Sequence, residues 1–208
     1  MSSSQLILFA LSSLLLMVTP APDMILVITR GVGQGRRAAF LMVLGYSLGD
    51  FTHALFAAVG LSTLLLTSAL AFKLVKYAGA IYFIYLGIRM LLNKAEFSFE
   101  TQQERIATKK LIWQGYWSNL LNPESTLFFL AFLPQFVDVT EENVAFQIMI
   151  LGSIFTLIGL LVYCFIAYFS GSVGLWLRSK QFIVDKLRYF TSTVFILFGV
   201  RVALKEQT

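Results

Sequence analysis

The sequence predicts an all-α integral membrane protein. Six transmembrane helices are expected, arranged as two inverted three-helix repeats with the first and fourth helices broken. Scarce charge, long uncharged runs and an echo between the two halves carry this reading. Of 208 residues, 58% are hydrophobic and 13% charged, with a mean hydropathy of +0.78. Soluble domains carry about 25% charged residues, so a soluble chain of this size could not cover its surface. Residues 1–22 contain no charge, and 143–177 are 35 consecutive uncharged positions. Residues 38–72 contain only Asp50, and 111–137 only Glu124. A span needs about 20 mostly apolar residues. Disordered, fibrous and disulfide-rich classes are excluded, and no loop is long enough for a soluble domain. The lone Cys164 can form no internal disulfide.

The first span is expected at about 5–30, interrupted at Pro20 and Pro22. Its apolar run has no basic residues before it and no small-x-small cleavage site, so it reads as an uncleaved span. The second is expected at 38–63, the third at 70–92, the fourth at 111–137, the fifth at 144–170 and the sixth at 187–205. Gly171 and Gly174 mark a helix end, followed by a short interfacial piece over 175–183. The chain is one transmembrane domain, with repeats at 1–92 and 111–208 joined by a charged loop at 93–110. Trp113, Trp117 and Trp176 fall near span ends, as in an aromatic belt.

The loops between spans 1–2, 3–4 and 5–6 carry 12 Lys and Arg, among them Arg30, Arg36, Arg37, Lys109, Lys110 and Lys180. The other side carries 4: Lys73, Lys76, Arg201 and Lys205. Cytoplasmic loops hold the basic excess, so both termini are predicted outside a bacterial inner membrane. The net charge of +5 therefore reads as topology rather than nucleic-acid binding.

The halves echo each other at an offset of 112: Lys76 meets Arg188, Tyr77 meets Tyr189, Phe83 meets Phe195, Gly87 meets Gly199 and Arg89 meets Arg201. A second echo aligns Pro22-Asp23 with Pro123-Glu124, each followed by x-x-Leu. Three spans per half is an odd number, so the halves must be inverted. Inverted repeats with discontinuous helices in matching positions point to a secondary transporter with a site near the midplane.

Proline removes a backbone hydrogen bond and clashes with the preceding turn. In lipid the freed groups need partners, and Thr19, Asn119 and Asn122 stand beside the breaks. Asp23, Asp50 and Glu124 are the only acids inside predicted spans. Each costs about 2.5–3.5 kcal/mol at a helix centre on insertion scales, and such residues usually bear on ion or substrate passage. Asp23 and Glu124 also start half-helices, where the dipole favours negative charge. Capping and ligand binding are both open to them. Asp50 and His53, three apart, share a helix face and either bind a proton or polar substrate group or bond to each other. Tyr46 lies on the same span, and Gln114 and Asn119 lie on the half-helix before Pro123. Gly45-x-x-x-Gly49 is expected to permit close helix packing. Gly31, Gly33 and Gly35 with Arg36 and Arg37 form a hinge-like basic turn that lacks a phosphate-loop ending. The single His argues against a dedicated zinc site; neither metal nor cofactor is expected.

Together these motifs resemble the LysE/RhtB family of bacterial amino-acid exporters, from near residue 5 to 205. The resemblance rests on Thr19-Pro20-Ala21-Pro22-Asp23 with Gly31, Gly35-x-Arg37, Gly45 and Gly49. It rests also on Gln114-Gly115-Tyr116, Asn119 through Glu124, Leu133-Pro134-Gln135-Phe136, and Tyr77-Ala78-Gly79-Ala80. It implies six spans and export of amino acids or relatives by proton-motive force. The family's first signature usually reads Thr-Pro-Gly-Pro-Asn and its second Asn-Pro-Lys; Ala21, Asp23 and Glu124 depart from them. The added carboxylates favour a cationic group or a second proton.

The expected function is secondary active export of amino acids or related small amines, by proton antiport with alternating access. The expected partners are that substrate, protons and the lipid bilayer, without nucleic acid; a homo-oligomer is left open. The alternative is a divalent metal-cation exporter using the intramembrane carboxylates, since hard cations prefer oxygen. A membrane enzyme lacks any Ser-His pairing or catalytic carboxylate pair in one span. A non-transporting assembly or receptor subunit would show no flux.

Overall fold

In the computed structural model, residues 3–18, 22–62, 69–92, 107–139, 143–172 and 180–204 are described. Among them there is no strand. The helices are α1 (Ser3–Val18), α2 (Pro22–Gln34), α3 (Arg36–Phe56), α4 (Ala69–Leu92), α5 (Thr108–Leu120), α6 (Pro123–Leu127), α7 (Val144–Tyr168) and α8 (Gln181–Leu204). A π-helical turn, Ala57–Leu61, continues α3. Another, Phe128–Phe132, and a 3-10 turn, Leu133–Phe136, continue α6.

Arg36–Gly60 and Val144–Tyr168 are each long and apolar enough to cross a membrane. Ser3–Val18 and Asp23–Gln34 qualify as a pair, bent by 50° at the break. α4 and α8 have 24 residues each, about 36 Å at 1.5 Å per residue. Large apolar side chains such as Ile7, Phe56, Leu161, Phe165 and Leu197 stand exposed on the outside. An aqueous surface would not carry so many; this is the face of a membrane protein. The helices start a few residues earlier than hydropathy suggested at 108 and 181, because their first turns are polar but still helical. Of the expected interfacial piece, 175–179 fall outside the described residues, and 181–183 already belong to α8.

On α3, Ala39, Met42, Val43, Tyr46, Gly49, Asp50, His53 and Ala54 are all buried. Their spacing of three and four makes one inward stripe, so the polar residues share the core face. α3 begins after Gly35, whose φ of 88 suits glycine alone at little cost. Gly45 and Gly115 bring α3 and α5 into backbone contact. A methyl group on Gly45 would overlap the Ile112 carbonyl oxygen, and one on Gly115 the Met42 carbonyl oxygen.

α4 and α8 pack against each other through Gly87 and Gly199. A Cβ on Gly87 would meet Ile196 and the Ser192 carbonyl; one on Gly199 would meet Ile84 and the Ala80 carbonyl. Ala80 and Ser192, Ile84 and Ile196, and Gly87 and Gly199 are each 112 apart. The contact is therefore reciprocal in the register that the sequence echo uses.

Aromatic rings fill the core beyond α6. Phe128 stacks on Phe155 at 4.0 Å and Phe132 at 4.8 Å, and Phe9 meets Phe136 at 5.2 Å. Near this cluster the α6–α7 connection is tied by buried Gln147, which accepts from Asp138 N and donates to Asp138 O, both at 2.9 Å. Gln147→Leu should lower stability by about 1–3 kcal/mol, because it strands two backbone groups. A fall in the thermal unfolding midpoint in detergent, with flux retained, is the expected result.

Candidate functional site

The sequence Asn122-Pro123-Glu124 stops one helix and starts another. α5 ends at Leu120, and Asn122 takes the extended conformation, φ −72 and ψ 116, that a residue before proline prefers. Pro123 occupies the first helical position of α6, where its missing N–H costs least. Asn122 Oδ1 accepts from Glu124 N at 2.9 Å, capping the new helix. That leaves Asn122 Nδ2 free to donate to Asp23 Oδ2 on α2 at 2.8 Å. One turn before the break, Asn119 Nδ2 donates to Asp50 Oδ1 on α3, also at 2.8 Å. Two carboxylates from different helices are thus each held by a carboxamide flanking one break.

α3 supplies the rest of this wall. Tyr46 donates to Ser118 Oγ at 3.4 Å. His53 Nε2 lies 3.4 Å from Asn119 O, and its ring stacks on Phe129 at 5.4 Å. Gly49 makes room for the Asn119 side chain. From α7, Gly159 approaches Asp50 Oδ2, and Tyr163 meets Tyr46 edge to face, ring centroids 6.0 Å apart. Asp23 lies within electrostatic reach of both Asp50 and Glu124. Asp23, Asp50, His53 and Asn119 are 8%, 5%, 7% and 3% exposed. Asn119 Oδ1 is buried without a hydrogen-bond partner among the described residues. Carboxylates and this carbonyl oxygen together offer more acceptors than the surrounding donors use, which suits an ammonium group. Among the described residues, no three His, Cys, Asp or Glu side chains are grouped to hold a metal ion.

The sequence profile of the LysE type translocator family matches residues 14–206. The chain belongs to the LysE type translocator family. It is 29% identical over 195 residues to a homoserine/homoserine lactone efflux protein of Salmonella typhimurium, covering 94% of each chain. It is 25% identical over 201 residues to a leucine efflux protein of an Enterobacter species, covering 94% of this chain and 93% of that one. An uncharacterised membrane protein of Bacillus subtilis is 29% identical over 201 residues, covering 91% of this chain and 94% of that one. No solved structure matches. This LysE type translocator is a membrane transporter and not an enzyme.

Of the residues singled out from sequence, the translocator's fold brings Asp23, Asp50, His53, Tyr46, Asn119 and Asn122 together. Asp50 and His53 meet through Asn119, one by its side chain and one by its backbone. Glu124 is half-buried and within electrostatic reach of Arg89 on α4. Gln114 instead lines an open groove of about 490 Å³ with Leu26, Lys110, Trp113, Trp117 and Ser118. Pro22 starts α2; Pro20 lies outside the described residues. Gly31 packs on Ser170. Sequence reasoning missed Tyr163, Gly159, Ser118 and Ser125, whose hydroxyl lies 3.5 Å from Asn119 Nδ2. Only Ser125, beside Glu124 in the Pro-Glu-Ser-Thr turn, carried a usable signal.

Proposed function

We propose that this translocator exports amino acids or related small amines across the bacterial cytoplasmic membrane, by proton antiport with alternating access. The carrying observation is the pair of Asp–Asn contacts, Asp23 with Asn122 and Asp50 with Asn119, between α2, α3 and the α5–α6 break. A carboxylate in that setting exchanges a substrate ammonium for a proton without leaving a net charge stranded. The relatives named for leucine and for homoserine or its lactone support this substrate class, since every one of those molecules carries an amine. A divalent cation would need more converging ligands than the described residues group.

Alternating access rests on the break between α5 and α6, matched by the bend between α1 and α2, and on a six-span inverted repeat. The reciprocal Gly87–Gly199 contact supports the repeat. The basic excess supports a cytoplasmic α2–α3 turn and both termini outside. Arg36 lies 4.5 Å over the Tyr168 ring, so the α2–α3 turn and the end of α7 share one end of the molecule, as that topology requires.

The test is uptake of labelled leucine and homoserine into inside-out vesicles. Accumulation should require an acidic lumen and collapse when a protonophore is added. Uptake that ignores the pH gradient would overturn proton coupling; no uptake of any amino acid or amine would overturn the substrate class.

A further inference from the structure

Arg30 is the one residue of the α2–α3 basic cluster that turns inward. It is 7% exposed, and its Nε and Nη1 have no hydrogen-bond partner among the described residues. Buried guanidinium donors are seldom left unpaired, and a buried charge without a partner is costly unless a ligand completes it. One turn on, Gln34 Oε1 is likewise buried and unpartnered among the described residues. Arg30 Nε and Nη1 and Gln34 Oε1 are therefore buried with no partner among the described residues.

The surroundings select an anion. No acid lies between Asp23 and Asp50 in sequence, while Arg36 and Arg37 follow. Arg36 is engaged by the Tyr168 ring, which leaves Arg30 as the buried cation. Arg30 and Asp23 are seven residues apart on α2, so they share one face about 10 Å apart along the axis. Helical side chains lean toward the N-terminus, which tilts the Arg30 fork toward the Asp23 end. A planar fork of parallel N–H donors matches a carboxylate.

We propose that Arg30 binds the substrate's carboxylate on the cytoplasmic side of the acids, while the acids take its ammonium group. Arg30 and Asp23 then read the two ends of an α-amino acid along one helix face. This rests on the amino-acid export reading above. It adds that free amino acids are distinguished from amines without a carboxylate at Arg30.

The experiment uses the purified full-length chain, as wild type, Arg30→Gln and Arg30→Lys. Ligand-induced thermal stabilisation and flux in proteoliposomes are measured for leucine against leucinamide and for homoserine against homoserine lactone. The second member of each pair lacks the carboxylate. Arg30→Gln should weaken leucine and homoserine at least about tenfold and leave leucinamide and the lactone within about twofold. Arg30→Lys keeps the charge and loses the fork, so it should fall between, and it carries the test if Arg30→Gln does not fold. Equal losses for both members of each pair, or none, would overturn the proposal. If the wild type neither binds nor moves any of the four, the export reading fails and acetate decides Arg30 separately. Stabilisation by acetate of wild type but not of Arg30→Gln upholds a carboxylate site. No such difference, or an effect of glycerol phosphate alone, overturns it.

Discussion

Asp50→Asn should abolish export while leaving the fold at least as stable. The change is almost isosteric, and it removes a charge that costs about 2.5–3.5 kcal/mol at a helix centre on insertion scales. The hydrogen bond from Asn119 Nδ2 can still be made, because the new carboxamide keeps an oxygen acceptor. What disappears is the capacity to hold a proton or a cation at a position only 5% exposed. Initial rates of leucine or homoserine exchange in proteoliposomes should fall at least about 100-fold, equivalent to about 2.7 kcal/mol. The thermal unfolding midpoint should stay level or rise. A variant that keeps more than half its flux would show that Asp50 only orients Asn119. A variant that loses flux and stability together would show a packing role. Asp23→Asn should behave in the same way, because its bond from Asn122 can also be kept.

The second large effect is on folding. Gly45→Val should leave little folded protein, and Gly115→Val should do the same. Added carbon at either position runs into a main-chain carbonyl of the facing helix, and backbone yields less than a side chain does. Overpacking in cores usually costs about 1–3 kcal/mol, occasionally more; two helices in backbone contact place this case at or above the upper end. Gel filtration in detergent after mild extraction should show aggregate in place of the wild-type peak. Gly60→Ala and Gly171→Ala are the controls, since nothing lies within 4 Å of a Cβ at either. A normal peak for Gly45→Val would mean that α3 and α5 are farther apart than described.

Much of this was legible in the sequence because the bilayer makes polarity conspicuous. Asp23, Asp50 and Glu124 stood out as the charges in uncharged runs, and Pro22 and Pro123 announced where helices begin. Asn119 and Asn122 followed as the polar groups nearest a break. The partners on α7 were hidden for the opposite reason. Tyr163 and Gly159 sit in a run of 35 uncharged residues, where an all-apolar helix shows no preferred face and a phenol looks like any lipid-facing aromatic. Gln114 lines the groove rather than the Asp–Asn contacts, because position along a helix does not reveal which side it presents. Arg30 was counted only as a topology signal, since its burial depends on how α2, α3 and α7 close around it. Glycine pairs such as Gly45 with Gly115 join segments 70 residues apart, a distance that no local pattern encodes.

The phenylalanines beyond α6 have an electrical consequence. A bacterium holds a voltage across this membrane, and each elementary charge that crosses releases or consumes about 2.3 kcal/mol per 100 mV. Protons leak wherever a file of water molecules can form. Phe9, Phe128, Phe132, Phe136 and Phe155 are buried and in ring contact, and none of their side chains hydrogen-bonds water. Where these rings meet, water has no partner to hold it in line. Under the proposed proton coupling, the cluster would act as an insulator beside the acidic site, keeping its carboxylates from short-circuiting the gradient.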